Sequence, residues 1–248
     1  MDTTPGTAAP APRAASALLS PTRALGDAWA TFKANAFVSI GVGLVVCAIL
    51  VAGQWIPFVN LVFMLFVAPA IYAGAAGYFL RGARGEQPPF EAAFEGFRRW
   101  PSATGTVLVI GCVSVLVMLP MLLMIFGVAG LAALMESRPG DVPNLAPAAM
   151  GMLGLVMLVT YPVLIWWSVR TGLALFVVME PERPGVMESL RRAWSLSGGS
   201  FWRIIAFGLL TIPVVLLGLL ALCVGVIPAA LVVYFGWAHV YLQLRARA

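Results

Sequence analysis

Few side chains in this sequence could do chemistry, and Arg170 is the most informative of them. It is the single charged residue in an apolar stretch from about 147 to 178. A guanidinium inside such a stretch is costly unless it meets an anion, a cavity or water. One hypothesis is therefore that Arg170 binds an anionic headgroup or substrate, with Tyr161 and Ser168 nearby in the sequence. The alternative is that Arg170 lies at the edge of the apolar stretch, where its long side chain reaches polar surroundings.

The other chemically capable residues predict no reaction centre. His239 lacks the second titratable group that a proton relay needs, so a hydrogen-bonding role is the alternative. The segment 195–200 contains three serines and two glycines but lacks the spacing of a nucleophile elbow or a phosphate-binding loop, and it predicts a hinge. Cys47, Cys112 and Cys223 are far apart and predict buried apolar side chains. We therefore predict no catalytic residue, metal site, disulfide or cofactor.

Composition indicates where the chain resides. It has 248 residues, of which 61% are hydrophobic and 10% are charged, and its mean hydropathy is +0.97. A soluble domain carries about 25% charged residues, so a soluble globular protein is excluded. No charged residue lies between Lys33 and Arg81 or between Arg99 and Glu136. A helix needs about 20 apolar residues to cross a bilayer, so these stretches predict membrane spans.

The predicted fold is an all-α, polytopic membrane helical bundle with six transmembrane helices. The apolar stretches place these spans at about 37–53, 61–80, 106–134, 147–178, 204–222 and 226–244. Together they form one membrane domain over residues 21–248. Residues 1–20 are rich in Ala, Pro and Thr and lack the apolar core of a signal peptide, so they predict a disordered cytoplasmic tail.

The distribution of cations predicts the orientation. Of the 15 Lys and Arg residues, all except Arg138 fall on one side of the six-span arrangement. Lys and Arg near span ends are retained in the cytoplasm, so both termini are predicted to be cytoplasmic. The net charge of +5 has the same explanation, and nucleic-acid binding is not needed to account for it.

Three short amphipathic segments on the predicted cytoplasmic side, at 25–33, 90–100 and 186–201, each lead into a pair of spans. Apolar and charged residues separate onto different faces of each helix, which is typical of a helix lying in the membrane interface. The chain therefore predicts three tandem units of interfacial helix plus hairpin. The alternative is that these helices pack under the bundle as ordinary loop helices. The predicted interfacial anchors are Trp29, Phe94, Phe97, Trp100, Trp194, Arg98, Arg99, Arg191 and Arg192.

Two stretches carry a resemblance to a known group. They are Gly77-Tyr78-Phe79-Leu80-Arg81-Gly82, continued by Pro89-Phe90-Glu91-Ala92-Ala93-Phe94-Glu95-Gly96-Phe97-Arg98-Arg99, and Glu188-Ser189-Leu190-Arg191-Arg192-Ala193-Trp194-Ser195-Leu196. Over about residues 22–245 the chain resembles poorly characterised bacterial six-span membrane proteins related to the membrane domain found beside glycerophosphodiester phosphodiesterases. The resemblance implies a multi-pass protein of the bacterial inner membrane. The acidic and His clusters of the phosphodiesterase domain are lacking, so that activity is not carried over.

Two functional hypotheses follow. The first is a non-enzymatic protein that binds membrane lipids, or that acts as an envelope scaffold for a protein partner on the cytoplasmic side. The alternative is a transporter or channel for a small molecule or lipid, which internal repeats, prolines within spans and Arg170 would favour. A water-filled cavity reached by Arg170 would favour the carrier, and a packed bundle with Arg170 at the headgroups would favour the scaffold.

Cysteine labelling tests the predicted topology. In a cysteine-free variant of the protein, a cysteine introduced by Ser137→Cys is expected to react with a membrane-impermeant maleimide added to intact cells. A cysteine introduced by Ser195→Cys, on the opposite predicted side, is the control and should react only after permeabilisation. The reverse pattern would show that the predicted orientation is wrong.

Overall fold

The structure is a computed structural model that describes residues 19–55, 57–136, 146–182, 184–220 and 225–247. Within these ranges it is entirely helical and contains no strand. A π-helix, Phe63–Val67, joins α3 to α4, and a 3-10 helix, Phe90–Arg99, leads directly into α5. The α-helices are α1 Pro21–Ala34, α2 Ala36–Ala52, α3 Pro57–Val62, α4 Ala68–Ala83, α5 Trp100–Glu136, α6 Ala146–Thr171, α7 Ala174–Val178, α8 Val186–Gly198, α9 Phe201–Leu220 and α10 Val226–Arg245.

A multi-span membrane architecture is confirmed by the length and hydropathy of these helices. Five helical segments qualify as candidate spans, three of which combine neighbouring elements, and α1 with α2 forms a further candidate that is bent by 95°. The five are Asn60–Ala83, Phe90–Gly127, Gly151–Val178, Phe201–Leu220 and Val226–Arg245. The 17 residues of α2 alone extend about 25 Å, close to the thickness of a hydrocarbon core. The described residues therefore contain five to six candidate spans.

One proline lies beside a change of helix type, whereas three others lie within continuous helices. Pro69 lies in the first turn of α4 and cannot donate a backbone hydrogen bond, and the π-helix Phe63–Val67 directly precedes that helix. Pro120, Pro162 and Pro213 instead lie inside continuous helices. The predicted fourth span is broken at another point, because α6 ends at Thr171 and α7 begins at Ala174.

Four residues lie in surroundings that differ from the sequence expectation: Leu19, Ser20, Cys47 and Cys112. Leu19 is buried, and the Ser20 amide donates a hydrogen bond to the Gln243 Oε1 atom at 3.2 Å, so the last two residues of the predicted tail pack against α10. Residues 1–18 lie outside the described residues. Cys47 and Cys112 are exposed on their helices rather than buried. Cys223 lies outside the described part of the chain.

Each amphipathic helix packs on the second span of the neighbouring unit. The 3-10 helix packs against α4, α8 packs against α6 and α7, and α1 packs against α10. The first unit is thereby joined to the last. The hydrogen bond between the Thr31 Oγ1 and His239 Nε2 atoms, at 2.9 Å, belongs to this closing contact. The amphipathic helices thus hold the basic end of the bundle together, and we use "basic end" for the end where α4 and α10 finish.

The buried face of each amphipathic helix consists mainly of small side chains. The contact residues are Ala24, Ala28 and Phe32 on α1, Ala92, Ala93 and Gly96 on the 3-10 helix, and Ser189, Ala193 and Ser197 on α8. Small side chains let two helix backbones approach closely. In a 3-10 helix residues i and i+3 align, so Ala93 and Gly96 form one ridge against α4.

Glycine is required where the 3-10 helix crosses α4. A Cβ atom at Gly74 would collide with the backbone carbonyl of Ala93, and one at Gly96 would collide with the backbone of Ala70 and Gly74. Both obstacles are backbone atoms, which cannot rotate away. The two helices therefore tolerate no side chain at this crossing.

Alanine substitution tests this crossing. Gly74→Ala or Gly96→Ala is expected to lower the free energy of unfolding by about 1–3 kcal/mol, the usual cost of overpacking. Gly111→Ala is the matched control, because a Cβ there meets no atom within 4 Å, and it should be neutral or slightly stabilising. Thermal unfolding of the detergent-solubilised protein measures the difference. Equal melting temperatures for Gly74→Ala and Gly111→Ala would contradict the proposed contact.

The core lies around α4 and α10. About half of the best apolar window of Asn60–Ala83 is buried, and 44% of that of Val226–Arg245, but only 6% of those of Phe90–Gly127 and Gly151–Val178. Phe235 on α10 is fully buried and contacts the Phe79 ring of α4, with ring centroids 5.0 Å apart. Helices α5 and α6 therefore flank a core formed mainly by α4 and α10.

Candidate functional site

Arg170 lies in the last turn of α6 and joins it to α8. Its guanidinium lies 5.8 Å from the ring centroid of Trp166 and 5.2 Å from that of Trp194. Its Nη1 atom donates to the Trp194 carbonyl at 3.3 Å, whereas its Nε atom is buried without a hydrogen-bond partner in the described residues. Two cation–π contacts and one hydrogen bond therefore hold this cation between two helices.

The structure does not bring Tyr161 and Ser168 to Arg170. Each residue of an α-helix is rotated by about 100°, so Ser168 is about 160° and Tyr161 about 180° from Arg170 around the helix. Both side chains are exposed. The three predicted headgroup or substrate residues therefore do not share one face of α6.

The predicted aromatic anchors lie on the outer surface. Trp29, Phe97, Trp100 and Trp194 are exposed, and Phe94 is half-buried. Aromatic side chains in such positions are typical of the boundary between water and lipid. Each amphipathic helix thus packs its small residues inward and presents aromatic rings outward, which combines features of both alternatives considered from the sequence.

The four predicted arginine anchors divide into two kinds. Arg98 and Arg191 are exposed, and neither is hydrogen bonded or ion paired to another described residue. Arg99 instead donates from Nη1 to the backbone carbonyls of Val178, at 2.7 Å, and Glu180, at 2.5 Å. Arg192 forms ion pairs with Glu182 and Glu188. Arg99 and Arg192 therefore stabilise contacts within the protein.

Glu180, which the sequence analysis does not single out, is the centre of the basic end. Only 1% of this residue is exposed. Its Oε1 atom lies 2.7 Å from Arg84 Nη2 and 2.7 Å from Arg245 Nη1, and it accepts a hydrogen bond from the Tyr241 hydroxyl at 3.0 Å. We call Arg84, Glu180, Tyr241 and Arg245 the Glu180 network. It joins the ends of α4 and α10 to the segment after α7.

The sequence contains one signal that could have revealed this network. Glu180 directly follows an apolar run, and Arg84 and Arg245 follow two other predicted spans that end on the same side. An acid among cations at the same predicted depth is a natural partner for them. The pairing itself depends on how the helices are arranged around the bundle.

Glu182 extends the network at the surface. It is paired with Arg192, and its Oε1 atom lies 3.5 Å from Arg245 Nη2. The hydrogen bond from Arg192, followed by the positive charge of that side chain, holds the pKa of Glu182 below its ordinary value of 4.5. This contact is therefore formed at neutral pH and weakens only as the pH falls below that value. Because both side chains are exposed, solvent screens the interaction strongly.

His239 forms a hydrogen bond between helices, and the segment 195–200 connects α8 to α9. The Thr31 hydroxyl donates to the Asp27 carbonyl at 2.9 Å, so His239 Nε2 is the donor toward Thr31 Oγ1 when it carries the proton. This matches the hydrogen-bonding alternative for His239. In the segment 195–200, Gly198 ends α8, and Gly199 and Ser200 connect it to α9, where a hinge is expected.

An apolar cavity of about 620 Å³ lies between α2, α4, α7 and α10. None of the described residues that line it is charged, and Arg170 does not line it. Phe176 lines the cavity and stacks on the Tyr241 ring of the Glu180 network, with ring centroids 5.7 Å apart. Phe176 therefore lies between the cavity and the ion pairs of the basic end.

The described side chains provide a buried, ion-paired carboxylate at the basic end and an apolar surface in the cavity. In the described part of the chain no group of three His, Cys, Asp or Glu residues could hold a metal. The Glu180 carboxylate is held by two arginines and a tyrosine, and this arrangement stabilises charge. The cavity offers an apolar surface to a ligand of similar character.

Substitution of Glu180 tests the role of the network. Glu180→Gln removes the charge opposite two arginines and is expected to lower the free energy of unfolding by about 1–3 kcal/mol. The loss stays moderate because Arg84 and Arg245 are partly exposed and keep part of their hydration. Glu182→Gln, at an exposed position, should change it by at most about 0.5 kcal/mol. Thermal unfolding in detergent measures both variants. Similar effects of the two substitutions would contradict a central role for Glu180.

No family model, no curated protein and no solved structure matches this chain. The helices show a multi-span helical membrane protein, and the family resemblance of the sequence stays a prediction.

Proposed function

We propose that this protein is a non-enzymatic, multi-pass inner-membrane protein that binds one lipid-like molecule in the cavity between α2, α4, α7 and α10. The observation that carries the proposal is the cavity itself. Its volume of about 620 Å³ lies within the range of about 300–1,000 Å³ that is usual for ligand sites. The space is partly open rather than enclosed, so a molecule from the surrounding membrane can reach it.

The lining of the cavity favours an apolar ligand. Most of its residues are aliphatic or aromatic, including Val46, Leu50, Leu231 and Trp237. The cavity lies between candidate spans, so a ligand could enter from the membrane without crossing water. A lipid tail that enters the cavity exchanges contacts with surrounding lipid for contacts with protein. Binding is then stabilised by dispersion forces, which are strongest where the tail fits the lining closely.

The surface of the basic end supports a protein that works against a lipid headgroup layer. The exposed arginines Arg98 and Arg191 lie on amphipathic helices that also expose aromatic rings. Cations near an anionic leaflet each contribute about 1 kcal/mol to its attraction. These helices would then hold the basic end at the cytoplasmic surface, as the distribution of Lys and Arg predicts.

A lipid or small-molecule carrier is the second candidate function. It is favoured by the position of the Glu180 network, which joins α4, α10 and the segment after α7 at one end of the cavity. A carrier must open and close its two ends in turn, and an ion-paired junction between separate elements can act as such a closure. Faster lipid exchange between liposome leaflets in Glu180→Gln than in Glu182→Gln would favour the carrier.

Filling the cavity tests the binding proposal. Ala230 lines the cavity, so Ala230→Phe is expected to displace a bound lipid, which native mass spectrometry of the protein in gentle detergent would show as a lost adduct. Ala206→Phe is the matched control, because Ala206 is exposed on α9. Arg170→Ala should also keep the adduct, since Arg170 lies outside the cavity lining.

Three outcomes of this experiment can be distinguished. Loss of the adduct only in Ala230→Phe would support a lipid site in the cavity. Equal lipid retention in Ala230→Phe, Ala206→Phe and the unchanged protein would place any bound lipid on the outer surface. That result would contradict the proposal and favour a scaffold. Loss in Arg170→Ala alone would move the lipid site to the junction of α6 and α8.

A further inference from the structure

We infer that the ligand of the cavity is a neutral lipid bearing carbonyl or hydroxyl oxygens, which Tyr72 and Tyr234 bind by hydrogen bonds. The inference rests on the proposed function, because it assigns a chemical class to the molecule that occupies the same cavity.

Two tyrosines, Tyr72 at 39% exposure and Tyr234 at 48%, bring hydroxyl groups to the apolar lining of the cavity. Tyr72 lies on α4 and Tyr234 on α10, and both line the cavity. Each is near the middle of its candidate span, Asn60–Ala83 and Val226–Arg245 respectively. Among the described residues neither hydroxyl has a hydrogen-bond partner. A hydroxyl without a partner is unfavourable in hydrocarbon, where water is not at hand to replace it.

A ligand oxygen at this depth would satisfy these hydroxyls. A phenol donates one hydrogen bond, so two tyrosines can donate to one carbonyl oxygen with two lone pairs or to two separate oxygens. A pure hydrocarbon fills space equally well but leaves both donors unpaired. The two hydroxyls therefore distinguish oxygen-bearing lipids from hydrocarbons.

The lining also favours a neutral ligand. None of the described residues that line the cavity is charged, and the polar side chains in the lining, such as Gln54, are neutral. A phosphate placed there would lose its hydration without gaining a cation. Phospholipid headgroups should accordingly remain at the membrane surface, near cations such as Arg98 and Arg191.

Packing orients one of the two donors. The Tyr234 ring is stacked on Phe79, with ring centroids 5.3 Å apart and an interplanar angle of 8°. Phe79 in turn contacts Phe235 edge-on, with centroids 5.0 Å apart. Since Phe79 and Phe235 are buried, they support the Tyr234 ring from the core side. A ligand thus meets a donor whose ring is already positioned, which lowers the entropic cost of binding.

Binding of defined lipids to the full-length protein in nanodiscs tests the inference. The probes are a short-chain isoprenoid quinone and a diacylglycerol, which both carry carbonyl oxygens, and squalene, which has none. Phosphatidylglycerol tests the preference for a neutral ligand. We expect the quinone, the diacylglycerol or both to bind at least about tenfold more tightly than squalene and phosphatidylglycerol, and their relative affinities identify the source of the carbonyl group.

The double variant Tyr72→Phe/Tyr234→Phe removes both hydroxyls and retains both rings. The double variant should bind the preferred oxygen-bearing lipid about tenfold more weakly, because each lost hydrogen bond lowers the affinity about two- to tenfold. Its affinity for squalene should not change. Tyr161→Phe is the matched control, because Tyr161 is exposed like the other two tyrosines but lies outside the cavity lining. Unchanged melting temperatures establish that both variants are folded.

The outcomes separate this inference from the proposed function. If Ala230→Phe blocks all probes while the double tyrosine variant binds the quinone and the diacylglycerol as the unchanged protein does, the inference is overturned and the lipid site stands. Tighter binding of phosphatidylglycerol or squalene by the unchanged protein overturns the inference as well. If Ala230→Phe binds every probe normally, the proposed function fails together with the inference.

Discussion

The buried carboxylate of Glu180 is the interaction on which the basic end of the bundle depends. It follows the short helix α7, and its Oε1 atom contacts Arg84 at the end of α4 and Arg245 at the end of α10. A charge with 1% of its residue surface exposed is stable only with such partners. Arg99 adds bonds to the carbonyls of Val178 and Glu180. The two central spans and the break after α6 are thereby fixed relative to one another.

The amphipathic helices depend on a second physical constraint, which is close approach. Each of them buries small residues against the second span of a neighbouring unit, and at Gly74 and Gly96 the two backbones touch. Their aromatic rings are left on the outer surface. One helix can therefore both pack beneath the spans and contact lipid, since these tasks use different faces. This combination explains why the sequence pattern is compatible with two interpretations.

The cavity lies where this framework leaves space between α2, α4, α7 and α10. Phe176 contributes to its lining and also stacks on Tyr241, so the cavity wall and the Glu180 network share an aromatic contact. The cavity and the ion pairs of the basic end are therefore adjacent through this ring pair. This contact is the physical link between the binding proposal and the alternative of a carrier.

The sequence by itself determined that the chain is a multi-span helical membrane protein, because long uncharged stretches have no stable place in water. It also located the amphipathic helices from their periodicity. The tertiary structure decided what individual residues do. Arg170 contacts Trp194 from α8, rather than Tyr161 and Ser168 on its own helix, and Glu180 meets Arg84, 96 residues away in the chain. Hydropathy is a local property that can be summed along the chain, whereas ion pairs and cavities depend on which helices become neighbours.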